Sequence, residues 1–249
     1  YCIVPSVRGR ERSRPMQQVV DEVRRQVGDG VVEVTLLGQN VNSYGRDLQG
    51  DDRATFAELL QAVAGVDGLQ RVRYTSPHPK DMRPETFAAM ANTPSVCEHL
   101  HYPLQSGSDA ILAAMHRGYT AERYLEKLVE ARRVIPDLAV TSDIIVGFPG
   151  ETDVDFERTM EVAAEACFDS AYEFEFSPRP GTEAAGMTER FVDPKVVNDR
   201  FERLRVVLEH SAEIKHRERI GRIEEVIVEG ISKRNEGVMT GRTRQNKLL

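Results

Sequence analysis

Two spacings of apolar residues alternate along the chain. Met16, Val19, Val20, Val23 and Val27 recur at helical spacing, with Pro15 suited to a first helical position. VVEVTLL (31–37) is then a short run rich in β-branched residues, which reads as a buried strand. The same order returns. Phe56, Leu59, Leu60 and Val63 share one helical face behind Thr55, a cap candidate, and RVRYTS (71–76) is strand-like. Residues 84–91 are helical, HLHYPL (99–104) strand-like, and 109–116 and 120–135 helical. LAVTSDIIVG (138–147) is a strand closed by glycine, residues 151–166 a helix with acids in its first turn, and SAYEFEFS (170–177) a strand. With a further strand at Cys2–Val4, six strands precede Pro178. Repeated β-then-α order predicts a parallel sheet with right-handed crossovers, either an open doubly wound sheet or an incomplete barrel. In both, the working loops follow the C-terminal ends of the strands.

Beyond Pro180 the pattern changes. Residues 194–219 form one long charged helix, and EEVIVEGISKRNEGVMTGRTRQN reads as two short strands joined by a polar turn. This predicts the start of a small β-barrel appended to the α/β domain. The expected division is 1–190 for the partial barrel, 191–220 for a connecting helix and 221–249 for the β piece. The chain begins with Tyr1 and ends within strand-forming sequence, so a fragment of a longer protein is expected.

Composition narrows the class. The 249 residues are 29 % charged and 40 % hydrophobic, an ordinary globular balance. No apolar run approaches a membrane span and the first residues hold no signal-peptide core, so no membrane and a cytoplasmic location are expected. The net charge of −7 argues against broad nonspecific nucleic-acid binding, yet cations gather locally. RGRERSR (8–14) holds four Arg, and residues 233–247 hold five Lys or Arg, so the two segments could form one phosphate-binding surface or remain solvated faces. Three scattered cysteines argue against a disulfide framework.

Polar and glycine residues recur at successive strand ends: Cys2, then Gly38-Gln39-Asn40, Ser76, Gln105-Ser106-Gly107, and Asp143 with Gly147. A purely structural sheet has no need of them, and their recurrence points to a small-molecule site. His78 and His101 lack a second ligand at metal spacing. Gly147-Phe148-Pro149-Gly150 lacks the Gly-Lys-Ser/Thr of a nucleotide triphosphate loop.

YCIVPSVRGRERSRP resembles the tail of the cluster loop of radical S-adenosylmethionine (SAM) methylthiotransferases, whose Cys-x-x-x-Cys-x-x-Cys is followed by a similar segment. LLGQNVNSYG, YTSPHP, LQSGSD, MHRGYT, SDIIVGFPGET and FSPRPGT resemble further segments of that family, in order and over nearly the whole chain. LLGQNVNSYG is closest in kind to the tRNA-modifying, MiaB-type branch.

The resemblance implies an incomplete (βα)6 TIM-like radical SAM barrel followed by the start of a TRAM-like RNA-binding β-barrel. It implies Cys2 as the third cysteine of the cluster loop, both catalytic and metal-binding on a [4Fe-4S] cluster whose open iron SAM chelates. It makes Gly38, Gln39, Asn40, Ser76, Gln105, Arg117 and Asp143 the SAM contacts, with Arg117 on the methionine carboxylate and Asp143 on the ribose hydroxyls. It gives Arg8, Arg10, Arg12 and Arg14 at the active-site mouth, and Lys233, Arg234, Arg242, Arg244 and Lys247 in the TRAM-like strands, to tRNA phosphates. The implied reaction adds a methylthio group to carbon 2 of N6-isopentenyladenosine beside the anticodon. A 5′-deoxyadenosyl radical would remove the hydrogen, a second SAM would supply the methyl, and a second [4Fe-4S] cluster in an N-terminal domain absent here would supply the sulfur. Further expectations are a flavodoxin or ferredoxin reductant, a monomer, and no turnover by this chain alone. Threonylcarbamoyl-adenosine in tRNA or a ribosomal protein as the target, and a non-catalytic RNA-binding remnant, are the alternatives.

Overall fold

The computed structural model describes residues 3–249. Five parallel strands form the centre: β1 (Glu33–Leu36), β2 (Arg71–Tyr74), β3 (His99–His101), β4 (Ala139–Val146) and β5 (Ser170–Glu175). β1 pairs with β2, and β3, β4 and β5 pair in sequence. A parallel bridge between Val72 and Val96 joins β2 to the approach of β3, so the spatial order follows the sequence order. Among the described residues the ladders form a two-stranded sheet, β1–β2, and a three-stranded sheet, β3–β4–β5.

Helices α2 (Met16–Gly28), α3 (Phe56–Ala64), α4 (Pro84–Asn92), α5 (Asp109–Ala114), α6 (Ala121–Val134) and α7 (Asp153–Ala166) alternate with the strands. Their starts follow local chemistry. Thr55 and Thr152 each cap a helix through a capping box, with Glu58 and Asp155 answering the cap backbone. One face of β1 to β4 packs under these helices: Val34, Val72, Tyr74, Leu100, Tyr102 just past β3, Val140, Ile144 and Val146 lie in one buried core. The strand period of two then turns Glu33, Thr35, Arg71, Arg73, His99, His101, Thr141 and Asp143 to the opposite, concave face.

The expected strand at Cys2–Val4 requires correction. Tyr1 and Cys2 lie outside the described residues, and Val4 opens a short helix, α1 (Val4–Arg8). Pro5 explains the difference. In a first helical turn proline lacks only an N–H that the helix leaves unused, whereas in a strand it breaks the ladder.

The long helix α8 (Pro194–Arg217) is more than a connector, because Val197, Leu204 and Leu208 are buried in the same core as the strands. It leads to an antiparallel pair, β6 (Val226–Ser232) and β7 (Asn235–Thr243). A two-stranded hairpin is marginal by itself. This one docks on the N-terminal ends of the parallel strands. The fully buried Arg71 donates to the Arg242 and Glu225 carbonyls and to the Glu225 carboxylate. Arg73 donates to the Thr243 and Arg244 carbonyls and to Glu33.

Candidate functional site

The residues following β1, β2 and β3 and those on β4 converge at the C-terminal end of the sheet. Asn42 and the His78 backbone exchange two hydrogen bonds, of 3.0 and 2.7 Å, and the Val41 N–H donates to the Ser76 carbonyl at 3.3 Å. These contacts tie the loop after β1 to the loop after β2. Asn40 donates through Nδ2 to Asp81 at 2.6 Å, and Arg46 holds the other Asp81 oxygen. Asn40 Oδ1 is buried and has no hydrogen-bond partner. A buried acceptor without a donor costs free energy, so this atom points to a ligand N–H or a water.

Ser76 and Gln105 both take left-handed backbone conformations, with φ of 59° and 67°. Non-glycine residues pay for that geometry and keep it where surrounding structure imposes it, commonly at binding sites. The strand ladder imposes it on Gln105: its N–H donates to the Asp143 carbonyl, and its own carbonyl accepts from the Ile145 N–H. Glycines in the same loops have packing reasons of their own. A Cβ on Gly107 would lie 2.6 Å from Thr159 Cα of α7, and one on Gly38 would lie 3.1 Å from Val41 Cα. The glycine at 38 is thus explained by its own turn.

Asp143 belongs to a chain of polar groups on the concave face. His101 lies between Asp143, 3.2 Å from Nε2, and the Thr141 hydroxyl, 3.0 Å from Nδ1; His99 Nε2 lies 3.2 Å from the same hydroxyl. A carboxylate only accepts, so His101 donates to Asp143 from Nε2. The Thr141 hydroxyl bridges the two imidazoles. Burial, helped by Arg73, pushes the His99 pKa down to about 3, which keeps that end of the chain neutral. Sequence reading weighed His101 only as a metal ligand and missed its place in this chain, together with His99 and the buried Arg71 and Arg73. Their signal was the alternation of polar and apolar residues in EVTL, RVRY and HLHY.

Arg10, Arg12 and Arg14 border a cavity of about 480 Å³ together with Gly38, Gln39 and Asn40. The Ser13 N–H donates to Asp47, Ser43 donates to Glu11, and Tyr44 donates to the Arg14 carbonyl, so the segment is stitched to the turn after β1. Arg8, Arg10 and Arg12 are exposed. The C-terminal cations fare differently. Lys233 and Arg234 are exposed at the hairpin turn, whereas Arg242 pairs with Glu229 at 3.0 Å. Arg244 is committed to Glu98 and to the Pro94 and Val96 carbonyls, and Lys247 to Asp169. Those two hold the hairpin under the N-terminal strand ends, opposite the Gly38–Asp143 loops, so they do not share one phosphate surface with Arg8–Arg14.

Cys2 lies outside the described residues. Cys97 is buried, with its thiol pushed up to about 11 by burial, beside Arg73 and Arg244 at the far end of the sheet. Among the described residues no three His, Cys, Asp or Glu side chains gather as a metal site, and no helix is long and apolar enough to cross a membrane.

A family model described as the Radical SAM superfamily matches residues 1–163. The chain belongs to the radical SAM superfamily. Two solved structures, the first described as a radical SAM enzyme, show the same fold at low identity. Coproporphyrinogen III oxidase from Escherichia coli aligns with a TM-score of 0.55 and 14 % identity, over 79 % of this chain and 46 % of that one. Methylornithine synthase aligns with a TM-score of 0.51 and 18 % identity, over 80 % and 55 %. Much closer in sequence are two proteins named tRNA-2-methylthio-N(6)-dimethylallyladenosine synthase. The one from Salinispora arenicola is 51 % identical and the one from Moorella thermoacetica 49 %, each over 100 % of this chain. The chain covers 50 % and 55 % of their lengths, so it spans about half of these curated relatives.

Proposed function

We propose that this radical SAM chain is the catalytic part of a tRNA methylthiotransferase acting at carbon 2 of N6-isopentenyladenosine beside the anticodon. The observation that carries the reading is about 50 % identity, over the full length of this chain, to relatives with that name. The orphaned Asn40 acceptor, the Asp143 carboxylate and the left-handed Ser76 and Gln105 form a donor and acceptor set that suits a ligand with an amine and a diol, as SAM is. When bound, SAM and its cluster supply hydrogen-atom abstraction and the methyl group.

The chain's own residues bind and orient. Gly38, Gln39, Asn40 and Ser76 face the amino-acid part, Gln105 and Arg117 its carboxylate, and Asp143 the ribose. The His101–Thr141–His99 chain keeps Asp143 an acceptor of fixed orientation. Cys2 is one thiolate ligand of the cluster, and a second cluster belongs to sequence outside this chain. Arg8, Arg10, Arg12 and Arg14 hold tRNA phosphates at the mouth, with Lys233, Arg234 and Arg242 as a further contact. The domain division at 190 and 220, a flavodoxin or ferredoxin reductant, a monomeric state and a cytoplasmic location complete the proposal.

The test is nucleoside mass spectrometry of tRNA from a strain lacking the gene. The expected result is loss of the methylthio-isopentenyl nucleoside with accumulation of its unthiolated form. Loss of a methylthio group from threonylcarbamoyl-adenosine instead would overturn the substrate assignment.

A further inference from the structure

A second feature lies beside the strand ends and is not used in the proposed chemistry. Between the turn after β2 and the start of α6 runs a groove of about 260 Å³, lined by Lys80, Gly118, Tyr119, Arg123 and Lys127. Its cations are arranged by the fold. Lys127 donates from Nζ to the Pro79 and Lys80 carbonyls at 2.8 and 3.2 Å, which fixes its ammonium at the groove floor. Arg123 stands one turn earlier on the same helix. The Lys80 side chain lies across Gly118, where an added Cβ would sit 3.2 Å from its Cδ and 3.6 Å from its Nζ.

On α8 the exposed Arg203, Arg205 and Arg217 each pair with a carboxylate. Lys80, Arg123 and Lys127 form no ion pair among the described residues. Asp81 and Glu130 are the acids that act on Lys127, and Asp81 is already held by Arg46 and Asn40. Positive charge without a paired carboxylate, gathered around a narrow groove, suits a small tetrahedral anion.

Position says which anion. The Tyr119 ring packs edge-on against His78, 5.7 Å between centroids, and its hydroxyl donates to the Leu104 carbonyl at 2.9 Å, one residue before Gln105. The groove is therefore one side chain away from the strand ends that hold the candidate site. It offers cations beside Pro79 and the rings of Tyr119 and Tyr124, whose hydroxyls are both spent on backbone carbonyls. That is the chemistry of a backbone contact, which positions a nucleic acid without reading it.

We propose that this groove binds a backbone phosphate of the RNA substrate, flanking the nucleotide whose base enters the strand ends; the proposal rests on the RNA reading above. The test uses the full-length holoenzyme and an anticodon stem-loop RNA, with binding measured across a salt series. Lys80→Gln/Arg123→Gln removes the two exposed cations and leaves the Lys127 contacts in place. Arg25→Gln/Arg133→Gln makes the same charge change on exposed residues at the C-terminal ends of α2 and α6, away from the groove. The groove variant should bind tenfold or more weakly, with the slope of log K against log salt smaller by about 0.7, the share of one neutralised phosphate. The control pair should match the parent. Parent-like affinity and slope in the groove variant overturn the groove assignment. So does intact RNA binding combined with slower electron delivery from an acidic donor protein, which would make the groove a protein contact. If the parent itself shows no salt-dependent binding, the RNA reading falls and the groove proposal falls with it.

Discussion

Replacing Arg200 by methionine isolates the buried ion pair that supports the loop after β4. Arg200 on α8 donates to the Glu151 carboxylate at 2.7 Å and to Asp153 at 2.7 Å, and lies over the Phe156 ring at 5.6 Å. The Arg200 and Glu151 side chains are only 4 % and 1 % exposed. Glu151 also accepts the Gly147 N–H at 3.0 Å, which links α8 to the strand end beside Asp143. Methionine keeps the packing over Phe156 and removes the charge. Glu151 is then left buried with one N–H, and losing one partner of a buried pair costs about 3–5 kcal/mol.

The cost has a ceiling, because Glu151 can take up a proton. Burial already raises its pKa above the ordinary 4.5, against the Gly147 N–H and Arg200, and without Arg200 it rises further. Protonating it at pH 7 costs roughly 1.36 kcal/mol for each of 2.5 pH units, or about 3.4 kcal/mol, and at pH 5 only about 0.7 kcal/mol. The sign follows from linkage. The folded variant binds the proton more tightly than the unfolded chain, so its stability rises as pH falls toward 4.5 and is lost as pH rises through the folded value. The chain has no tryptophan, so far-UV circular dichroism reports urea unfolding. With a slope of about 3 kcal/mol/M, the midpoint should fall by about 1 M at pH 7 and by a few tenths of that at pH 5. Glu151→Gln in the same chain should restore most of the loss. An equal loss at both pH values, or no rescue by glutamine, would refute the reasoning.

Three further outcomes are expected. Burial pushes the His99 pKa down to about 3 and, with Arg117, the His78 pKa down to about 4. The unfolded chain therefore binds more protons below pH 6.5, and each histidine lowers stability by up to about 1.4 kcal/mol per unit of acidification; His99→Gln should flatten urea midpoints between pH 6 and 4.5, and an unchanged slope would contradict this. Gly147 has φ of 73°, and an added Cβ would sit 2.5 Å from Val197 Cγ2. Gly147→Ala should cost about 1–3 kcal/mol, with Val197→Ala relieving part of it in a thermal melt, while a parent-like Tm would remove the argument. Arg71→Met should release the β6–β7 amides to fast hydrogen exchange while β2–β4 stay protected, since the hairpin is marginal without its docking contacts; continued protection of β6–β7 would show another anchor suffices.

The sequence alone determined the order of elements and the end of the sheet where the candidate site lies. Apolar spacing and capping residues act within one or two turns, so Thr55 and the apolar stripe of Phe56–Val63 were legible without any partner. The strand-end residues Asn40, Ser76, Gln105 and Asp143 were legible for a related reason, because a parallel sheet brings all its C-terminal ends together. The Cys2–Val4 reading failed at Val4, where Pro5 outweighs the β-branched neighbours. What only the tertiary structure decided is which polar side chain meets which. Arg71 and Arg73 find the hairpin 154 and more residues later, and Arg244 finds Glu98 across 146 residues. Gly107 answers to Thr159 of a helix more than fifty residues away. Periodicity records which face of an element is apolar, but a charge chooses its partner by distance in space, and that distance exists only once the chain has folded.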